Sequence, residues 1–232
     1  MAKSNVWLSV SDLMTGLMIV FLFVSVAYMI RVKEEQTPLT QYVENKTELR
    51  DKLVAEFKDE SRQGRLSISG DLTMRFENAQ TLFEQGKDEL TTEFKKELAN
   101  CMPRYLNLLL NASMRDKIRE IRIEGHTDDV PYPGLDPDPY FANLILSQRR
   151  ALKVMRYIQS MPEYQAYSED DRKQLEFWFT VAGMSFGRAL DERSNYVYVS
   201  CSEIDKNKSR RVEFRLITSG EEMLEEFIKK NK

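Results

Sequence analysis

Apolar residues are distributed unevenly along the chain, and their spacing changes from segment to segment. From Val10 to Ile30 only Ser11, Asp12, Thr15 and Ser25 are clearly polar. A helix of that length spans roughly 30 Å, the thickness of a bilayer's hydrocarbon core. Farther on the spacing becomes helical. Leu39, Tyr42, Val43, Leu49, Leu53, Val54 and Phe57 form a narrow stripe between charges, opened by Thr37-Pro38 as cap and first helical residue and closed near Gly64. Such a stripe suits packing on the chain's own domain or against a second copy, and the pattern does not choose. RLSISGDLTMRF alternates with period two, so it predicts a strand or hairpin. Further strands are predicted over 118–125, 177–184 and 210–217. Helices are predicted over 90–110, with Pro103 as a kink or early stop, over 141–161 and over 221–230. Strands that alternate with helices give an α/β or α+β domain with about four strands and helices packed on the sheet. The resulting division is a tail at 1–9, a transmembrane helix at 10–31, a linker helix at 32–64 and a folded domain at 65–232.

Composition refines this picture. The chain has 232 residues, a formal net charge of -3 and a pI near 5.5. That argues against nucleic acid as a partner, which calls for a basic patch. A cleaved signal peptide is the alternative to a membrane anchor, with Ser25-Val26-Ala27 as a passable cleavage site. The apolar run is too long for one, and Asp12 sits badly in it. Lys3 on one side and Arg31 and Lys33 on the other leave the orientation open by charge counting. Cys101 and Cys201 are too far apart for a metal knuckle. In an oxidising compartment they are candidates for a disulfide; otherwise they are two thiols. Four of the seven prolines (Pro131, Pro133, Pro137 and Pro139) fall between Asp129 and Tyr140. That segment is neither a central strand nor a helix but a rigid excursion.

Two sets of residues carry chemistry. Asp12 lies about one turn inside the apolar run, where a carboxylate is costly unless it reaches the interface or works. As an interfacial helix cap it is unremarkable. Thr15 and Gly16 follow one turn later on or near its face, and small and hydroxyl residues there suit close helix packing and the passage of an ion. The second set is distributed. Asp128 ends a predicted strand in GHTDDVP, Asn143 and Arg150 open a predicted helix in FANLILSQRRALKVMRYI, and Arg210 and Arg211 enter a strand in KSRRVEF. A guanidinium fork takes a carboxylate and an Asp takes an ammonium, so together they suit a zwitterionic amino-acid ligand. A structural ion pair between Asp128 and Arg150 is the plainer alternative. His126, the single histidine, reads as a loop-positioning residue. No nucleophile–base arrangement forms around it, so no enzyme is expected. Asp128, Asp129, Asp136 and Asp138 form a loose acidic cluster whose spacing fits no EF-hand.

Both sets resemble known families. SDLMTGLMIVFLF is similar to the transmembrane signature of MotB-type stator subunits, at Asp12, Met14, Thr15, Gly16, Met18 and Phe21. The resemblance implies that Asp12 carries the translocated ion, a proton or else Na+, with Thr15 beside it, and that the N-terminus is cytoplasmic. GHTD, then Asn143, Leu146-Ser147, Arg150-Ala151 and Arg210-Arg211-Val212 resemble the OmpA-like peptidoglycan-binding domain over roughly Leu66 to Ile217. That implies a periplasmic domain in which Asp128 and Arg150 hold the diaminopimelate of the cell-wall peptide, near Asn143, with Arg210 and Arg211 close by. Ser209 stands where the family has Asn, and the Pro-rich segment lengthens the gap after Asp128. One helix cannot line a channel, so the implied assembly is a homodimer inside a ring of MotA-like, or ZorA-like, multi-helix subunits, five by resemblance, in the bacterial inner membrane, without a cofactor. Such subunits serve the flagellar motor and the Zorya anti-phage defence; the further alternative is a passive OmpA-like anchor from membrane to cell wall, which has no use for Asp12. The short tail before Trp7, without a basic stretch, is closer to the second.

Overall fold

The computed structural model describes residues 3–76, 82–84, 87–132 and 134–220. The expected terminal helix at 221–230 and Pro133 lie outside them. The chain divides into two units, of which the second is Asn45–Ser219.

The first helix, α1, runs from Lys3 to Glu56. Within it Val10–Lys33 is long and apolar enough to cross a membrane, and none of it is buried within the chain. The helix passes through Thr37-Pro38, so the expected separate helix start is absent. Pro38 forgoes one backbone hydrogen bond there, and neighbours such as Glu34, Glu35 and Gln36 are good helix formers.

In the second unit the last turns of α1 settle where the linker stripe goes. Leu49, Leu53 and Phe57 are at most 1% exposed and belong to the domain's core. After a short helix, α2 (Lys58–Arg62), Gly64 stops the run at φ +65°. Arg104 holds this corner by bonding Glu56 and Glu60 at 2.7 and 2.6 Å, with its guanidinium 4.9 Å over the Phe57 ring.

The sheet has five strands in the order β1-β2-β5-β3-β4. They are β1 (Leu66–Ile68), β2 (Thr73–Phe76), β3 (Ile118–Gly125), β4 (Phe179–Gly183) and β5 (Val212–Thr218). Only the β3–β4 pair is parallel. The period-two stretch from Leu66 to Phe76 is a hairpin, which makes five strands of the expected four.

Between the strands lie α3 (Thr92–Leu110), α4 (Ala112–Arg115), α5 (Pro139–Ser160), α6 (Pro162–Gln165), α7 (Glu169–Trp178), α8 (Val197–Ser200) and α9 (Lys206–Ser209). Thr91 caps α3 by accepting the Phe94 N–H at 3.1 Å. That helix continues through Pro103, because its buried stripe of Phe94, Leu98, Met102, Tyr105, Leu106 and Leu109 is fixed by the core. Phe76 meets Phe94 and Phe214 edge-on at 5.4 and 5.8 Å, tying helix to sheet.

The cysteines are not joined. Cys101 is buried on α3 and Cys201 is exposed at the left-handed end of α8; both are free, so of the two alternatives the structure has two thiols. Burial pushes the Cys101 thiol up to about 11, leaving it inert at neutral pH.

Candidate functional site

At the end of β3 the chain leaves the sheet as Gly125-His126-Thr127-Asp128. Three backbone bonds fix this exit. His126 N–H donates to Arg211 O at 3.0 Å, Thr127 N–H to Ser185 O at 3.0 Å, and Met184 N–H to Gly125 O at 2.9 Å. Helix α5 is locked onto the same corner, since Ser147 Oγ accepts from Ser185 N–H at 3.1 Å and Ser185 Oγ donates to Tyr140 O at 2.9 Å. The start of α5 is specified locally by Asp138, whose carboxylate accepts from the Tyr140 and Phe141 N–H groups ahead of Pro139 at the first helical position.

These elements bring Asp128 and Arg150 together, each only 5% exposed. They do not form the structural ion pair that was the plainer expectation. Asp128 Oδ1 accepts the Val130 N–H at 3.3 Å, while its buried Oδ2 has no hydrogen-bond partner and lies 3.6 Å from Arg210 Nε. Arg150 donates Nε to Lys87 O at 2.9 Å and lies 4.9 Å over the Phe83 ring. Among the described residues its two terminal nitrogens meet no hydrogen-bond partner. Burial lowers its pKa to about 10, with the Asp128 charge opposing the shift, so it stays cationic at neutral pH. The corner therefore presents an acceptor in want of a donor beside a cationic fork in want of an anion. Phe83 and Lys87, which seat Arg150, were not legible as site residues: an isolated Phe and a main-chain carbonyl carry no sequence signal.

The other expected residues divide. Arg210 faces the site but also donates to Lys206 O and Asn207 Oδ1, at 3.2 and 2.9 Å. Asn143 is 1% exposed, and its amide nitrogen donates to Val130 O and Pro139 O, both at 3.1 Å. Arg211 points the other way. Its fork is filled by Glu213 Oε1 at 2.6 Å, Ser209 O at 3.2 Å and Arg188 O at 3.2 Å. Ser209, in the place of the family's Asn, is fully buried and bonds the main chain of Leu190. Of the acidic cluster, Asp136 and Asp138 are spent on the backbone, accepting N–H groups within their own turns.

Behind the site lies a charge network absent from the sequence reading. Glu124 and Glu213 are direct cross-strand partners, 0% and 4% exposed. His126 Nε2 lies 3.5 and 3.6 Å from their carboxylates. Facing side chains at cation-cage spacing invite the idea of a metal. But Arg211 and Arg75 hold Glu213 at 2.6 and 2.7 Å, and Arg188 holds Glu124 at 3.2 Å. With Arg122 also 3.8 Å from Glu124, four guanidiniums around two carboxylates already leave surplus positive charge, so a divalent cation is disfavoured. Burial alone would raise Glu213, yet Arg211, His126 and Arg75 hold it down at about 2. Burial pushes His126 below its ordinary value, against the pull of Glu124.

A pH dependence follows. A histidine whose folded pKa lies below its unfolded value of about 6.5 contributes stability present above that pH and lost as pH falls through the folded pKa, at up to ~1.4 kcal/mol per pH unit. The urea midpoint of the full chain in detergent, read from the buried Trp178, is expected to fall below pH 6.5. His126→Gln should flatten that fall. Equal slopes would remove His126 as its source.

Comparison with known proteins agrees with this fold. Residues 82–167 match the OmpA family model. Among solved structures, a MotB-like protein from Desulfovibrio vulgaris shares the fold at a TM-score of 0.52, with 21% identity, over 76% of this chain and 93% of that one. A Zorya protein ZorB from Escherichia coli O139:H28 is 26% identical over 93% of this chain and 81% of its own length. Another, from the Escherichia coli Crooks strain, is 32% identical over 96% of this chain and 92% of its own length. A likeness of that extent, running through both the apolar helix and the OmpA-type domain, places the chain in the ZorB family of Zorya proteins.

Proposed function

We propose that this chain is the wall-anchored, ion-carrying subunit of a stator-like motor. It crosses the inner membrane once, with its N-terminus cytoplasmic and its sheet domain periplasmic. Two copies stand inside a ring of MotA-like subunits, and protons pass by way of Asp12. The domain grips peptidoglycan, holding the dimer still while the ring turns. The Zorya relatives favour anti-phage defence over the flagellar motor as the setting.

The observation that supports the anchoring role is the pairing of a buried Asp128 Oδ2 without a donor with Arg150, which among the described residues donates a hydrogen bond from Nε alone. A diaminopimelate residue offers an ammonium to the first and a carboxylate to the second. The test is binding of a wall stem tripeptide ending in meso-diaminopimelate to the full chain in detergent. Arg150→Ala is expected to weaken it by ~2 kcal/mol or more, the scale of a lost charge-assisted bond. Because Arg150 is also bonded to Lys87 O and stacked on Phe83, the variant should lose some stability, and binding is compared at equal folded fraction. Equal binding by both proteins would remove Arg150 from the clamp, and no binding by the unsubstituted chain would overturn the anchoring role.

A further inference from the structure

Asn143 lies where the family resemblance implies a ligand contact, yet both N–H donors of its amide are engaged elsewhere. Its one nitrogen reaches the two ends of the Pro-rich excursion, Val130 O at the start and Pro139 O at the finish, each at 3.1 Å. Val130 is also the residue whose N–H binds Asp128 Oδ1. One side chain thus closes a loop of about ten residues and fixes the backbone against which the ligand-facing carboxylate rests. The excursion thus starts at the site itself, since its first residue is bonded to Asp128.

We infer that Asn143 is a positioning residue, a clamp that holds the Pro-rich excursion as one wall of the Asp128–Arg150 pocket, and not a ligand contact. The inference rests on the anchoring role proposed above for that pocket. Its physics is a donor count. Two main-chain carbonyls converge on one position that water does not reach, and only a side chain with two N–H donors on one atom satisfies both. Prolines supply no N–H to hold the excursion from within, so the clamp comes from the helix.

The test uses near-isosteric Asn143→Asp. An ionised carboxylate faces both carbonyls with no donor and repels them, whereas a protonated one returns a single O–H donor. Charged groups around the position are Asp128, Asp138, Arg150 and Arg210, with Tyr132 on the excursion. Burial and the two carbonyl dipoles disfavour the ionised form, so protonation of the variant occurs within the range where the domain is folded. For the full chain in detergent, binding of the meso-diaminopimelate tripeptide at pH 7.5 should fall about tenfold or more, the size of one lost buried bond. Relative to the unsubstituted chain at each pH, binding should recover in part by pH 5.5. Asn143→Ala should be weak at every pH. Without any ligand, hydrogen exchange of the amides at 129–138 should quicken in both variants. Unchanged exchange would overturn the clamp, and so would an Asn143→Asp defect that does not vary with pH. If the unsubstituted chain binds no tripeptide while exchange still quickens, the pocket's assignment falls and the clamp on the loop stands.

Discussion

Asp12→Asn is expected to abolish ion-driven activity while leaving the protein assembled. The substitution keeps the size, shape and polarity of the side chain and removes its exchangeable proton. As a helix cap Asn serves about as well as Asp, so a merely interfacial role predicts normal behaviour. The structure narrows what else Asp12 is for. It lies on α1 in an apolar span of which nothing is buried within the chain. The nearby Thr15 hydroxyl donates to Ser11 O at 2.8 Å, so it is tied to its own helix and not to the carboxylate. Gly16, one turn on, has no neighbour within 4 Å of where a Cβ would stand, leaving that face clear for another helix. An acid there that meets no partner among the described residues is unfavourable in lipid unless an assembly uses it. The variant should insert, reach the partner ring and bind wall peptide normally, yet give background levels of phage protection, or of motility in a flagellar setting. Asp12→Glu should keep part of the activity, since it retains the proton and moves it by one methylene. Complementation scored beside membrane levels of the complex decides the matter. Full protection by Asp12→Asn at normal complex levels would leave a passive anchor.

The regular elements were legible wherever one periodicity dominated. Leu66 to Phe76 and Ile118 to Gly125 alternate and are strands. The long stripe in 92–110 is a helix despite Pro103, because buried contacts along its whole length outweigh one missing bond. Phe177 and Trp178 read as strand within FWFTVAG, but they finish α7. Ser168 caps that helix and Glu169, Asp170 and Asp171 fill its first turn, a start signal outside the apolar run itself. A short run without period is ambiguous between helix and strand, and its neighbours decide.

At the site, the same limit separates Arg210 from Arg211. Adjacent residues entering a strand face opposite ways, so the Arg-Arg pair cannot act as one unit. Arg210 turns to Asp128 and Arg211 to Glu213. Period two predicts the separation but not which face holds ligand. The network of Glu124, His126 and Glu213 was hidden for another reason: its carboxylates lie on two strands brought into register only by β3–β5 pairing, and His126 follows directly on β3.

Gly125→Ala is expected to destabilise the domain by about 3 kcal/mol, the upper range for overpacking a filled core. The reason is space and not backbone conformation. A Cβ at Gly125 would stand 2.1 Å from Ser147 O and 2.9 Å from Ser147 C, both main-chain atoms of α5. No rotamer change relieves such a clash; the helix must lift from the sheet. Gly183 faces the same turn of α5 from β4, where a Cβ would stand 2.7 Å from Leu144 O and from Gln148 N. The two glycines are paired across the parallel strands, so together they make the flat seat on which α5 rests. That seat matters for binding because α5 carries Asn143 and Arg150, while Gly125 leads directly into His126-Thr127-Asp128. Lifting the helix separates Arg150 from Asp128 even in molecules that remain folded. Gly125→Ala should therefore lower the urea midpoint of the full chain and weaken tripeptide binding beyond what its unfolded fraction explains. Gly70→Ala, where nothing lies within 4 Å of the added methyl, is the control and should leave both nearly unchanged. If Gly125→Ala unfolds at the same urea concentration as the unsubstituted chain, the close approach of Ser147 to β3 is not what seats the helix.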